Sequence, residues 1–139
     1  MMDAKVIWKG QMAFTGTVDR GFTLSLDSSL ASDGENGGFS PMELVLIGLA
    51  GCTAMDVIDI LRKKRQDIIN FEVEVHAGRA DEHPRVFNQV LIDYLITGHQ
   101  VEKEAVDRAV DLSITKYCSV SAMFSKTAKI EQKITVLDA

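Results

Sequence analysis

The two cysteines, Cys52 and Cys118, are the residues of this chain with the most specific chemistry. A thiolate is a nucleophile and a metal ligand, and two thiols that meet can be oxidised to a disulfide. The pair lies far apart in the sequence and forms no CxxC motif, which excludes a thioredoxin-type site. Free cysteines are also among the most buried residue types, so a purely structural role stays open beside a redox role.

Zinc is another chemistry that cysteines support, but the sequence does not favour it. The three histidines, His76, His83 and His99, show no ligand spacing, and two thiolates alone cannot complete a tetrahedral site. We interpret each histidine as a polar residue of a strand, turn or loop. The sequence therefore predicts neither a metal nor a cofactor.

A nucleophilic Cys52 needs a partner that stabilises its negative charge. Cys52 lies about twelve residues inside a predicted helix, whereas the helix dipole acts mainly within the first turn. Asp56 follows one turn later and would oppose a thiolate if it pointed the same way. A cation must therefore come from elsewhere, and Arg20, in a turn near the N-terminus, is the candidate.

The helix that carries Cys52 is the clearest predicted element. Ser40 and Glu43 form a capping box with Pro41 at the first helical position, and the helix continues to about Arg65. Its middle, residues 44–55, is apolar on nearly every side but shorter than the about 20 residues that span a bilayer. A helix that is apolar all round must be covered on every face, so we expect a second subunit to cover part of it.

The remaining elements follow from alternation, helical periodicity and turn residues. They are a hairpin or meander within 4–26, a polar loop at 28–39, strands at 71–77 and 85–97, an amphipathic helix at 102–116, a short helix at 120–126 and a strand at 129–137. Segregated blocks of strands and helices predict an α+β fold with a mostly antiparallel sheet. The length predicts a single domain, 1–139.

The bulk composition limits the classes of partner. Apolar residues make up 46% and charged residues 25% of the 139 residues, as in ordinary soluble proteins. A net charge of -5 argues against nucleic acid, and the one basic run, 62–65, complements the end of the predicted helix. The first residues do not resemble a signal peptide, so we expect a cytoplasmic protein that binds neither nucleic acid nor a membrane.

Two motifs resemble the OsmC/Ohr family. The run 40–52, SPMELVLIGLAGC, resembles the family's cysteine-bearing helix, and 116–121, KYCSVS, resembles its second cysteine motif. The pair His83–Pro84 with the strand after it also fits, so the resemblance covers nearly the whole chain. It implies an OsmC-like α+β fold with antiparallel sheets around a long central helix. It also implies an intertwined homodimer with active sites at the subunit interface.

The resemblance further implies thiol peroxidase chemistry in oxidative-stress defence. Cys52 would attack an organic hydroperoxide and become a sulfenic acid, and Cys118 would condense with it to a disulfide. An external dithiol would restore both thiols by exchange. Tyr117 and the apolar residues near both motifs would favour bulky organic hydroperoxides over hydrogen peroxide.

Two departures from the family pattern predict a divergent branch. Met42 stands where the peroxidases usually carry a carboxylate, and the cap explains Glu43 without catalysis. The sequence around Arg20 does not match the family's arginine-bearing turn. The alternatives are therefore a small-ligand-binding or redox-sensing protein with little turnover, or a pair of structural cysteines.

Overall fold

The computed structural model describes all residues, 1–139, and they form two compact units, Met1–Val45 and Leu46–Ala139. The single domain stays a prediction. The elements, in chain order, are β1 (Ala4–Gly10), β2 (Ala13–Val18), β3 (Thr23–Leu26), α1 (Pro41–Lys63), β4 (Asp67–Arg79), β5 (Phe87–His99), α2 (Lys103–Leu112), α3 (Ser119–Phe124) and β6 (Lys129–Asp138).

The first unit is built on the predicted meander. Strands β1, β2 and β3 are neighbours in that order, and both pairs are antiparallel. Gly21 has a φ of 89°, which glycine adopts without strain, and its N–H donates to the Val18 carbonyl at the β2–β3 turn. Asp27 anchors the loop after β3, because its carboxylate accepts the backbone N–H groups of Ser28, Glu35 and Gly37.

The sheet of the second unit has the order β4-β5-β6. β4 and β5 form a long antiparallel pair, and β6 lies parallel to β5. The predicted α+β class with mostly antiparallel pairing is confirmed, and β5–β6 is the one parallel pair. The reason is the connection: α2 and α3 lie between β5 and β6, and a helical crossover joins parallel strands.

The core of the second unit lies between β5 and the helices. Side chains on β5 alternate between buried and less buried positions, and α1 contributes a stripe of fully buried residues at every fourth position. The rings of Phe87 and Phe124 stack with centroids 5.6 Å apart. The buried residues of these elements include Leu49, Thr53, Val57, Leu61, Val90, Ile92, Tyr94, Ile96, Val106, Ala109 and Val110.

Helix α1 begins with the predicted capping box. The Glu43 N–H donates to the Ser40 hydroxyl, and the Ser40 N–H donates to the Glu43 carboxylate at 2.8 Å. The helix ends at Lys63, two residues earlier than predicted, and Arg65 adopts a φ of 57°. By length and composition α1 is apolar enough to cross a membrane, and only 22% of its most apolar window is buried.

Candidate functional site

The structure brings Cys52 and Cys118 together within the second unit. Cys52 lies half-buried on α1, and Asp56 lies one turn further along that helix. Cys118 directly precedes α3 and is only 3% exposed. Both sulfur atoms and a carboxylate oxygen of Asp56 lie within 4.8 Å of one another. Two thiols and a carboxylate therefore share one site.

A widened helical turn positions Cys118. The predicted helix at 102–116 is not α-helical throughout: α2 ends at Leu112, and Ser113–Tyr117 forms a π-helical turn. The Cys118 N–H closes this turn on the Ser113 carbonyl at 2.7 Å. Such turns carry one extra residue and are frequent at functional sites.

The surroundings of Cys118 favour its neutral thiol. Burial raises the pKa of Cys118, the Ser121 N–H lowers it by donating to the sulfur at 3.3 Å, and the Cys52 side chain raises it again. The net pKa lies above the usual value for cysteine. Cys118 is therefore suited to react with an oxidised partner rather than to attack a substrate first.

A chain of buried hydroxyl groups ends at Asp56. Ser113 donates to Asp56 Oδ2 at 2.9 Å, Thr53 lies 2.8 Å from Ser113 Oγ, and Tyr94 lies 2.7 Å from Thr53 Oγ1. Each hydroxyl has one proton. Because Ser113 gives its proton to Asp56, Thr53 must donate to Ser113 and Tyr94 must donate to Thr53. All donors in this chain of hydroxyl groups therefore point from Tyr94 towards Asp56, and the chain holds the carboxylate beside the thiols.

Tyr94 is a permanent donor at the far end of this chain. Its pKa is raised to about 12, mainly by burial; the hydrogen bond with Thr53 lowers the pKa, and the neighbouring Cys118 and Asp56 raise it further. The phenol therefore stays protonated at any physiological pH.

Tyr94, Thr53 and Ser113 are not among the site residues predicted from the sequence. A signal for two of them exists, because Thr53 belongs to the buried stripe of α1 and Ser113 continues the buried face of α2. A hydroxyl residue at such a position needs a hydrogen-bond partner inside the protein. The sequence does not show that these hydroxyls would find one another.

Arg20 and Glu43, which the sequence also singled out, have local partners. The Arg20 guanidinium carbon lies 5.2 Å from the centroid of the Phe22 ring, and Met42 is half-buried. The backbone N–H and then the hydroxyl of Ser40 lower the pKa of Glu43. The carboxylate of Glu43 is thus engaged by the helix cap, as the sequence predicts.

The site can support two kinds of chemistry. A disulfide between Cys52 and Cys118 has an S–S length near 2.05 Å, so the sulfur atoms must approach by at most about 2.7 Å. The same two sulfur atoms and the Asp56 carboxylate could also act as ligands of a thiophilic metal ion.

Comparison with known proteins identifies the family. Residues 34–133 match the family model of OsmC-like proteins. Protein YhfA of Escherichia coli K12 is 38% identical over 138 residues, which cover 99% of this chain and 100% of that protein. A hypothetical protein from Aquifex aeolicus superposes with a TM-score of 0.88 at 28% identity, over 100% of this chain and 98% of that one.

A further solved structure bears on the fold alone. An organic hydroperoxide resistance protein OsmC from Legionella pneumophila superposes with a TM-score of 0.75 at 17% identity, covering 98% of this chain and 97% of that one. The predicted resemblance is confirmed by the family model, by the shared fold and by the relative that matches from end to end. This chain belongs to the OsmC-like protein family.

Proposed function

We propose that this protein is a cysteine-dependent peroxidase that reduces organic hydroperoxides. The observation that supports it most is the proximity of a half-exposed thiol, Cys52, to a buried thiol, Cys118. A hydroperoxide can reach Cys52, whereas the buried Cys118 would react only afterwards, with the oxidised Cys52. The name of the Legionella pneumophila protein of the same fold, organic hydroperoxide resistance protein, agrees with this chemistry.

The reaction balances in three steps. The Cys52 thiol loses its proton, and the thiolate attacks the distal oxygen of the hydroperoxide, which breaks the O–O bond and leaves Cys52 as a sulfenic acid. The leaving alkoxide takes up a proton from solvent, in place of the one that Cys52 lost, and becomes the alcohol. The Cys118 thiol then attacks the Cys52 sulfur, forming the disulfide and releasing water. An external dithiol reduces the disulfide by thiol exchange and becomes oxidised itself.

The test is a single-turnover reaction of the reduced protein with one equivalent of cumene hydroperoxide. We expect a Cys52–Cys118 disulfide within seconds, read by thiol counting and peptide mass spectrometry. In Cys118→Ser, dimedone should trap a sulfenic acid on Cys52. In Cys52→Ser, the buried Cys118 should stay reduced. Intact thiols in the wild type, or a Cys52→Ser variant as fast as the wild type, would contradict the proposal.

A redox sensor with little turnover is the second candidate, and one observation favours it. Met42 replaces the carboxylate expected of a peroxidase, and Glu43 is held in the helix cap. A sensor would form the disulfide once and return slowly to the thiols. An assay with excess hydroperoxide and dihydrolipoamide distinguishes the two functions. A peroxidase would consume many equivalents of hydroperoxide per chain, and a sensor about one.

The proposal includes a homodimer in the cytoplasm. OsmC-like proteins are soluble and generally dimeric, and a second copy of α1 would cover the apolar residues that one chain leaves exposed. A pair of thiols that must be regenerated also suits a reducing compartment.

A further inference from the structure

Asp56 adds a third possible metal ligand to the cysteine pair. Two thiolates do not complete a tetrahedral zinc site, but the carboxylate of Asp56 lies within 4.8 Å of both sulfur atoms. With Zn–S bonds of about 2.3 Å, two sulfurs on one tetrahedral zinc ion are about 3.8 Å apart. The two sulfur atoms therefore need to approach by no more than about 1 Å to bind one ion.

We propose that the reduced protein binds one Zn²⁺ through Cys52, Cys118 and Asp56, with water as the fourth ligand. Both thiols lose their protons to solvent, so that two thiolates and one carboxylate surround the ion. Thiolates favour zinc over magnesium or calcium, which prefer oxygen donors. Cys52 and Asp56 are only half-buried, which leaves the fourth position open to water.

The groups around these donors support the same inference. Zinc ligands are commonly oriented by hydrogen bonds from neighbouring groups. Here Ser113 donates to Asp56 Oδ2, leaving the other oxygen for a metal, and the Ser121 N–H donates to Cys118 Sγ. The hydroxyl chain from Tyr94 through Thr53 fixes Ser113 in turn. The carboxylate group of Asp56 and the sulfur of Cys118 are thus already held in place.

Zinc binding does not depend on the proposed peroxidase activity, because it needs only the reduced thiols. The two are mutually exclusive at the sulfur atoms, since a Cys52–Cys118 disulfide has no thiolate left to bind zinc. Zn²⁺ should therefore protect Cys52 from hydroperoxide, and oxidation should release the ion.

The binding test titrates Zn²⁺ alone into the reduced protein against a chromophoric chelator. We expect one ion per chain and a thiolate-to-metal charge-transfer band when Co²⁺ replaces zinc. Asp56→Asn and Cys118→Ser should abolish tight binding, and Ser113→Ala should weaken it on the order of tenfold. The matched control is Asp59→Asn, which removes an exposed carboxylate of the same helix that pairs with Lys63.

A second measurement uses the wild type and needs no variant to fold. Diamide, which forms the disulfide without a hydroperoxide, should release the bound zinc, and a reductant should restore it. Zinc binding that survives diamide, or that is as tight in Asp56→Asn as in the wild type, would assign the ion to the surface histidines and overturn the proposal. So would the absence of binding at micromolar Zn²⁺. Peroxidase turnover measured without added Zn²⁺ does not depend on either result, so the two proposals can fail separately.

Discussion

At the residue scale, three hydroxyl groups decide how Asp56 faces the thiols. Ser113, Thr53 and Tyr94 are fully buried, and each has one proton to donate. The carboxylate at one end only accepts, so it fixes the direction of every hydrogen bond back to Tyr94. Each hydroxyl in such a chain depends on the next, and the loss of one member leaves a buried acceptor without its donor.

Removing the Tyr94 hydroxyl, the donor at the end of the hydroxyl chain, tests its role. We expect Tyr94→Phe to lower the free energy of unfolding by about 1 to 3 kcal/mol, because Thr53 then lacks its buried donor. The measurement is urea denaturation followed by circular dichroism. Tyr117→Phe is the matched control, since Tyr117 is 51% exposed and the change in free energy of unfolding should stay within about 0.5 kcal/mol. Equal losses in both variants would contradict the role of the hydroxyl chain.

At the element scale, the strands and α1 could be predicted, and the turn that places Cys118 could not. Alternation fixes which face of a strand is apolar, and on β4 the residues Phe71, Val73 and Val75 face inward as predicted. The capping box fixes where α1 begins. A π-helical turn has no such signal, because the apolar periodicity of α2 runs into Ser113–Tyr117 without a break.

The site was predictable only in part, for a related reason. The sequence identifies both cysteines and places Asp56 one turn from Cys52, since that spacing lies within one helix. The approach of Cys118 depends on the turn after α2, and the hydroxyl chain depends on packing α1 against β5 and α2. Contacts between elements distant in sequence leave no local pattern.

Substitutions in the N-terminal cap of α1 show whether Glu43 contributes to stability or to catalysis. Ser40→Ala should lower the free energy of unfolding by about 1 kcal/mol, because it removes the acceptor for the Glu43 N–H. Glu43→Gln keeps an oxygen for the Ser40 N–H and should change stability less. Its rate of Cys52 oxidation by cumene hydroperoxide should equal the wild-type rate. A much slower Glu43→Gln variant would show that the carboxylate serves the reaction.

The contribution of the loop after β3 to the stability of the protein should depend on pH, because Asp27 anchors this loop. Burial raises the pKa of Asp27, but hydrogen bonds from the N–H groups of Gly37, Ser28 and Glu35 lower it by more. The net pKa lies below its usual 3.8. A pKa that is lower in the folded state stabilises the protein above the unfolded-state value, and the effect is lost as the pH falls through the folded value.

The comparison is between the wild type and Asp27→Asn, by urea denaturation from pH 7 to pH 2. The wild type should be more stable at neutral pH, and the difference should shrink below about pH 4, as the carboxylate is protonated. A difference that stays constant with pH would mean that the charge of Asp27 contributes nothing to the loop.

At the scale of the whole molecule, the apolar surface of α1 is unusual for a chain that acts alone. Val45, Ile47 and Met55 are 42%, 52% and 73% exposed on this helix. Exposed apolar residues in one continuous element commonly mark an interface. Since OsmC-like proteins are generally dimeric, we expect a second copy of this chain to cover them.

A charge placed on this surface tests the dimer. We expect the wild type to scatter light as a dimer at micromolar concentration and Met55→Glu to shift towards the monomer, because a buried unpaired carboxylate opposes association. Met123→Glu is the matched control: this methionine is 65% exposed on α3, and a charge there should leave the mass unchanged. A dimer that survives Met55→Glu but dissociates in Met123→Glu would place the interface on α3. A monomeric wild type would leave the apolar face of α1 without the partner proposed for it, and the proposed peroxidase reaction would then have to take place within one chain.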